Sequence, residues 1–107
     1  MRVTKAEPIP ERMFAEMRRL IADIVTVRPF TIWLHGSYAT GRARVASDID
    51  LAIDAVAALA PTDIALVAES LEESTLPYHF DVCDLARTSQ AFADRVRAIG
   101  TPWRIEA

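Results

Sequence analysis

Cysteine is nearly absent from this chain. Cys83 stands alone, so no internal disulfide can form. A cross-linked secreted scaffold is thereby excluded, and a reducing compartment, the cytoplasm, is the expected location. Lysine is equally scarce: Lys5 is the lone example among 12 basic residues, and the others are arginines. No uninterrupted apolar stretch approaches the roughly 18 residues of a membrane-crossing helix. The segment Met1 to Pro10 holds Lys5, Glu7 and two prolines, which is unlike a secretory signal. An excess of positive charge is missing too. The formal charge is −3, which disfavours a domain that grips nucleic acid by its own field. Internal repeats and low-complexity segments are absent.

What remains is an ordinary globular composition, 51% hydrophobic and 25% charged. A length of 107 residues suits a single domain over 1–107, with an irregular lead at 1–10 and a tail at 101–107. A domain this small buries only about 60–70% of the surface its unfolded chain would expose. It has little core to spare for an internal cavity, so a substrate is expected in a groove or on a surface shared with a partner.

Periodicity sets out the elements. From Glu11 to about Val27, Phe14, Met17, Leu20, Ile21 and Ile24 recur at helical spacing, and Arg28-Pro29 ends the pattern. Phe30 to Leu34 reads as a buried strand. Ser47 to Asp54 alternates, with Ile49, Leu51 and Ile53 on one face and Asp48, Asp50 and Asp54 on the other. Pro61-Thr62-Asp63 opens a helix to about Glu73 with Ile64, Val67 and Leu71 inside. Tyr78 to Leu85 is a third strand. Thr88-Ser89 caps a last helix, whose buried stripe is Phe92, Val96 and Ile99, stopped by Gly100 and Pro102. Alternation of this kind predicts an α/β (α+β) fold, a small mixed sheet with packed helices.

The chemistry resides in the acids. Asp48 and Asp50, two residues apart, project from one side of a strand about 6.6 Å apart along its axis. Like charges so placed oppose each other's ionisation, and a hard divalent cation with oxygen ligands relieves the conflict. A bare Asp-x-Asp is also compatible with a half-exposed strand carrying solvated acids. Its surroundings sharpen the reading. Gly36-Ser37, at the end of a buried strand, offers close backbone approach, N–H groups and a hydroxyl suited to an anion. A two-metal site needs a third acid. The third strand offers Asp81 and Asp84 on opposite faces. Phe80 and Val82 mark the core face, so Asp81, with His79 and Cys83, lies on the other. Asp84, at the strand end, suits a cap or turn, and Asp81 is the choice.

The stretch Leu34-His35-Gly36-Ser37-Tyr38-Ala39-Thr40-Gly41, followed by Ser47-Asp48-Ile49-Asp50-Leu51, resembles the glycine-serine and Asp-x-Asp motifs of the polymerase β-type nucleotidyltransferases. Phe80-Asp81-Val82 is similar to the family's late catalytic aspartate, and Asp94 to Gly100 to the closing helix of its short, stand-alone members. The resemblance covers residues 11 to 105. Position 40 departs from it: many members carry arginine there, and this chain has Thr40, so a basic contact falls to Arg42 and Arg44 instead.

The resemblance implies transfer of a nucleoside monophosphate, AMP from ATP, to an acceptor hydroxyl. Asp48, Asp50 and Asp81 are then the catalytic residues and ligands of two Mg²⁺ ions. Gly36, Ser37, Arg42 and Arg44 are the phosphate contacts. Short members commonly act as antitoxins against an HEPN-type toxin, so the implied partners are a nucleoside triphosphate and such a toxin. Neither a membrane nor nucleic acid is expected, and self-association stays open. Two other readings stay open as well: a module that neutralises its partner by contact alone, and a small-molecule transferase similar to the aminoglycoside-modifying members. His35 is read as a packing residue, His79 as a neighbour of Asp81, Cys83 as a small buried side chain and Trp103 as folding back on the domain.

Overall fold

The computed structural model of the chain describes residues 4–106. The first three residues of the expected lead, and the last residue of the tail, lie outside them. The order is α1 (Glu11–Ile24), β1 (Phe30–His35), α2 (Gly36–Ala39), β2 (Ile49–Ala55), α3 (Asp63–Glu73), β3 (Phe80–Asp84), a 3₁₀ turn (Leu85–Arg87), α4 (Gln90–Ile99) and β4 (Thr101–Ile105). The strands form one mixed sheet in the order β3-β2-β1-β4. β1 runs antiparallel to both β2 and β4, while β3 lies parallel to β2.

The register sorts the side chains onto two faces, because successive residues of a strand point in opposite directions. On one face, Phe30 and Ile32 of β1 lie opposite Ala55 and Ile53 of β2, and Leu34 lies opposite Leu51. Phe80 and Val82 of β3 join them beside Ile49 and Leu51. α1 and α3 close this face with Met17, Ile21, Val67 and Leu71, all fully buried. Each such side chain contributes about 1.5–3 kcal/mol by leaving water. This is the main core. On the other face the rows read Thr31–Asp54, Trp33–Ala52–Cys83 and His35–Asp50–Asp81. Only a small cluster of Ala52, Leu85, Ala93 and Val96 covers it.

The ends of elements have local causes. α1 stops at Ile24, and the Arg28 guanidinium donates to the freed carbonyls of Ala22 and Val25 while lying 4.9 Å from the Phe30 ring. Ser89 caps α4 by accepting the Phe92 amide. Asp84 accepts the Ala86 amide and so opens the 3₁₀ turn.

Two expectations are corrected. The stretch expected as a tail, 101–107, supplies β4, an edge strand whose Trp103 packs on Phe14 at 5.0 Å beneath the Arg18 guanidinium. The described part of the lead is irregular apart from an isolated bridge of Lys5 to Arg44, beside which Ala6 donates to the Ala43 carbonyl. The stripe of α4 is also different. Val96 is buried with Ala93, whereas Phe92 is 39% and Ile99 49% exposed. Periodicity identifies an apolar helix face but does not say whether that face meets a core or a groove.

Candidate active site

β1 ends at His35 and the chain turns sharply at Gly36, whose φ is +68°. Glycine is required there twice over. The left-handed backbone disfavours any Cβ, and a Cβ at this position would lie 2.0 Å from Asp50 Oδ2. The turn thus presses the start of α2 against the Asp50 carboxylate. Thr40 closes α2 by donating from Oγ1 to the carbonyls of Gly36 and Ser37.

Asp50 sits in register with His35 on one side and Asp81 on the other. Side chains directly opposite in a sheet share a face, so these three form a row across β1, β2 and β3. Burial pushes the Asp50 carboxyl above its ordinary value. His35 opposes that shift, and the charges of Asp81 and Asp48 add to it. Burial likewise lowers His35, against the pull of Asp50 and Asp81, which favours the neutral imidazole. Its Nε2 is buried with no hydrogen-bond partner among the described residues, and its ring meets Phe92 edge-on at 5.7 Å. Cys83, one row deeper, is pushed up to about 11 by burial and then by Asp81, Asp84 and Asp50, so the thiol stays protonated.

Asp48 is placed differently from the expectation. β2 begins at Ile49, leaving Asp48 exposed in the preceding loop. The Arg44 amide donates to Ser47 Oγ at 2.8 Å, and the Ser47 amide donates to the Arg44 carbonyl. That closed turn delays strand pairing until Ile49, whose amide bonds to the His79 carbonyl. The strand alternation is therefore real but two residues shorter at its start, which loses Ser47 and Asp48.

These residues edge an open groove of about 460 Å³. Gly36, Thr40 and Arg42 form one side, and Asp50 and Asp81 lie at the sheet. Phe92, Arg95 and Ile99 of α4 form the opposite side. Of the phosphate contacts expected from sequence, Gly36 and Arg42 border the groove. Ser37 and Arg44 are not among its lining residues, and the Arg44 guanidinium donates to the Arg42 carbonyl instead. His79 turns away, pairing with Glu72 while Glu72 also holds the Phe80 amide. Arg95 was missed by sequence reasoning. Its signal was an arginine inside an apolar stripe, three residues after Phe92 and four before Ile99.

Among the described residues no three His, Cys, Asp or Glu side chains are gathered into a ready-made metal cage. The donor chemistry nevertheless fits a hard cation. No ion pair engages Asp48, Asp50 or Asp81 among the described residues, and the charges of Asp81 and Asp48 add to the burial that raises the Asp50 carboxyl. Asp48 and Asp81 are exposed, so rotation of their side chains can close the set on an ion. Arg42 and Arg95 are equally free of acidic partners among the described residues.

A carboxylate row, a glycine turn pressed against it and unpaired arginines on both sides of the groove coincide with a family match. The model of the polymerase beta nucleotidyltransferases fits residues 23–102. The chain belongs to this nucleotidyltransferase family. A probable protein adenylyltransferase, MntA, of Haemophilus influenzae is 36% identical over 73 residues, 68% of this chain. The match spans 64% of that relative's length. A crystal structure of a toxin–antitoxin complex with AMP-PNP is similar at a TM-score of 0.67 and 27% identity, over 89% of this chain and 73% of the other. A mutant of the MntA–HpeT toxin–antitoxin pair is similar at 0.64 and 26%, over 89% and 72%. The nucleotidyltransferase fold is thus common to all of these, and α4 closes the groove on the same sheet face as the acids.

Proposed function

We propose that this chain is a Mg²⁺-dependent protein adenylyltransferase that silences a toxin partner, of the HEPN type, by transferring AMP from ATP to one of its hydroxyls. The observation that carries the reading is the His35–Asp50–Asp81 row, with Gly36 against Asp50 and unpaired Arg42 and Arg95 bordering the same groove. The named relative and the AMP-PNP complex support adenylate as the transferred group.

Asp48, Asp50 and Asp81 would hold two Mg²⁺ ions. When bound, these supply Lewis-acid neutralisation of the phosphate charge and lower the barrier to in-line displacement. The chain's own residues do the rest. Gly36, which borders the groove, presents its backbone N–H to the outer phosphates, and the Ser37 hydroxyl, one residue on, would turn in to join it. Arg42 and Arg95 stabilise the negative charge that spreads over the transferred group, a contribution that grows as water leaves the groove. Arg44 acts on the loop, since its guanidinium holds the Arg42 carbonyl at 2.9 Å. Asp81, the most exposed end of the carboxylate row, accepts the acceptor's proton. The groove is open to solvent, so the acceptor's own surface would complete it.

The test is the intact mass of the protein encoded by the adjacent gene after incubation with this chain, ATP and Mg²⁺, beside an Asp81→Asn control. A gain of one or more adenylate masses, absent with Asp81→Asn, is the expected result. A tight complex with no mass gain would replace catalysis by contact neutralisation.

A further inference from the structure

The groove continues past Asp81 into a second compartment of about 310 Å³. Cys83, Thr88 and Ser89 line it, and it shares His35, Asp81 and Phe92 with the first. The two compartments differ in charge. Arg42 and Arg95 border the first, and no arginine or lysine lines the second. A triphosphate needs cations along its oxygens, so the first compartment suits the donor. The same absence of cations, with the Asp81 carboxylate at the junction, makes the second hostile to an anion.

The polar groups of the second compartment are half used. Ser89 Oγ accepts the Phe92 amide at 3.2 Å, which leaves its proton to donate. Thr88 Oγ1 donates to the Leu85 carbonyl at 2.7 Å, which leaves lone pairs to accept. A hydroxyl is both donor and acceptor and matches that pair. The Phe92 ring, more than a third exposed, offers an apolar wall beside them.

Granted the transferase reading, we propose that this second compartment is the acceptor site and that Cys83, Thr88, Ser89 and Phe92 select a neutral, hydroxyl-bearing side chain. In the step it serves, the acceptor O–H gives its proton to Asp81 as its oxygen bonds the α-phosphorus. The bond from that phosphorus to the departing pyrophosphate breaks. Asp81 borders both compartments, which places the proton acceptor at the junction of donor and acceptor.

The experiment compares wild type, Cys83→Leu and Arg95→Ala. Affinity for Mg²⁺ with AMP-PNP is read by calorimetry, and AMP transfer to the adjacent-gene protein by intact mass. Cys83→Leu fills the second compartment. It is expected to lower transfer about tenfold or more while AMP-PNP affinity stays within about twofold. Arg95→Ala is expected to weaken AMP-PNP by about tenfold. Comparable loss of AMP-PNP affinity in Cys83→Leu would overturn the assignment, because the compartment would then hold the donor. A second measurement needs no variant. Cys83 is the single thiol, so its rate of reaction with methyl methanethiosulfonate reports this compartment. The adjacent-gene protein should slow it and AMP-PNP with Mg²⁺ should not; the reverse pattern overturns the assignment. Absence of transfer by wild type is a separate failure, that of the transferase reading itself.

Discussion

The two faces of the sheet are built from the same strands, yet they obey opposite rules. On the face under α1 and α3, Ile32, Ile49, Leu51 and Ile53 are wholly excluded from water. On the other, the same strands carry His35, Asp50, Asp54 and Asp81 at alternate positions. The first face gains stability by removing apolar area from water. The second gives some of it up, since burial raises the Asp50 carboxyl and leaves His35 Nε2 without a partner among the described residues. On the proposed reading, a site that receives cations and phosphates keeps its charges unpaired until they arrive, and the opposite face supplies the stability to hold them there.

The sharpest break of this contrast is Asp50→Asn. It should lower transfer by about a thousandfold or more, the scale of a lost preorganised electrostatic group. The midpoint of thermal unfolding should hold or rise, because a carboxylate whose pKa is raised by folding opposes folding while ionised. Unfolding near neutral pH with a clear loss of stability would contradict the strain assigned to this face. Gly36→Ala comes next. Its Cβ meets Asp50 Oδ2 at 2.0 Å on a left-handed backbone. We expect transfer to fall about a hundredfold, with a stability cost of about 1–3 kcal/mol read from urea unfolding.

Leu71→Ala tests the opposite face. It removes a fully buried side chain and should cost about 2–5 kcal/mol of stability. AMP-PNP affinity of the folded fraction should be unchanged, because the cavity opens on the side away from the groove. The smallest effect is expected where the acid face does contain an ion pair. Burial pushes Asp54 up, but hydrogen bonds from Arg97 and Trp33 and the charges of Arg97 and Arg104 outweigh it and hold the carboxyl below its ordinary value. Such a depressed group adds stability above its unfolded pKa, and loses it as pH falls through the folded one. In Arg97→Ala that depression weakens and burial remains, so unfolding on acidification should begin at a higher pH than in wild type. Coincident acid-unfolding curves would show the pair to be idle.

Much of this was legible in the one-dimensional pattern. The period of two in Ile49 to Asp54 separated apolar from acidic positions before any strand was paired, and parity on the third strand chose Asp81 over Asp84. Other features were not legible. Arg95 and Phe92 lie on a helix whose apolar stripe resembles any core stripe, and only the packing of α4 against one row of the sheet turned them towards the groove. Thr101 to Ile105 follows a Gly and contains a Pro, which reads as a tail; its role as β4 depends on the free edge of β1. Asp48 fell outside the ladder because Ser47 Oγ, accepting the Arg44 amide, holds the preceding turn closed.

By itself the sequence determined the inventory and the alternation: which residues can bear charge, which must be buried, where glycine is needed, and that helices and strands succeed one another. These follow from side-chain chemistry and backbone geometry within a few residues, so they need no partner. The tertiary structure alone decided which residues meet. The antiparallel register of β1 with β2, and the parallel register of β2 with β3, set His35, Asp50 and Asp81 in a row although 15 and 31 positions separate their codons in order. Placement of α4 over that row then made one groove with arginines at one end and none at the other. Contacts of this kind depend on the register of whole elements, which is selected by how the entire apolar face packs rather than by any local run of residues.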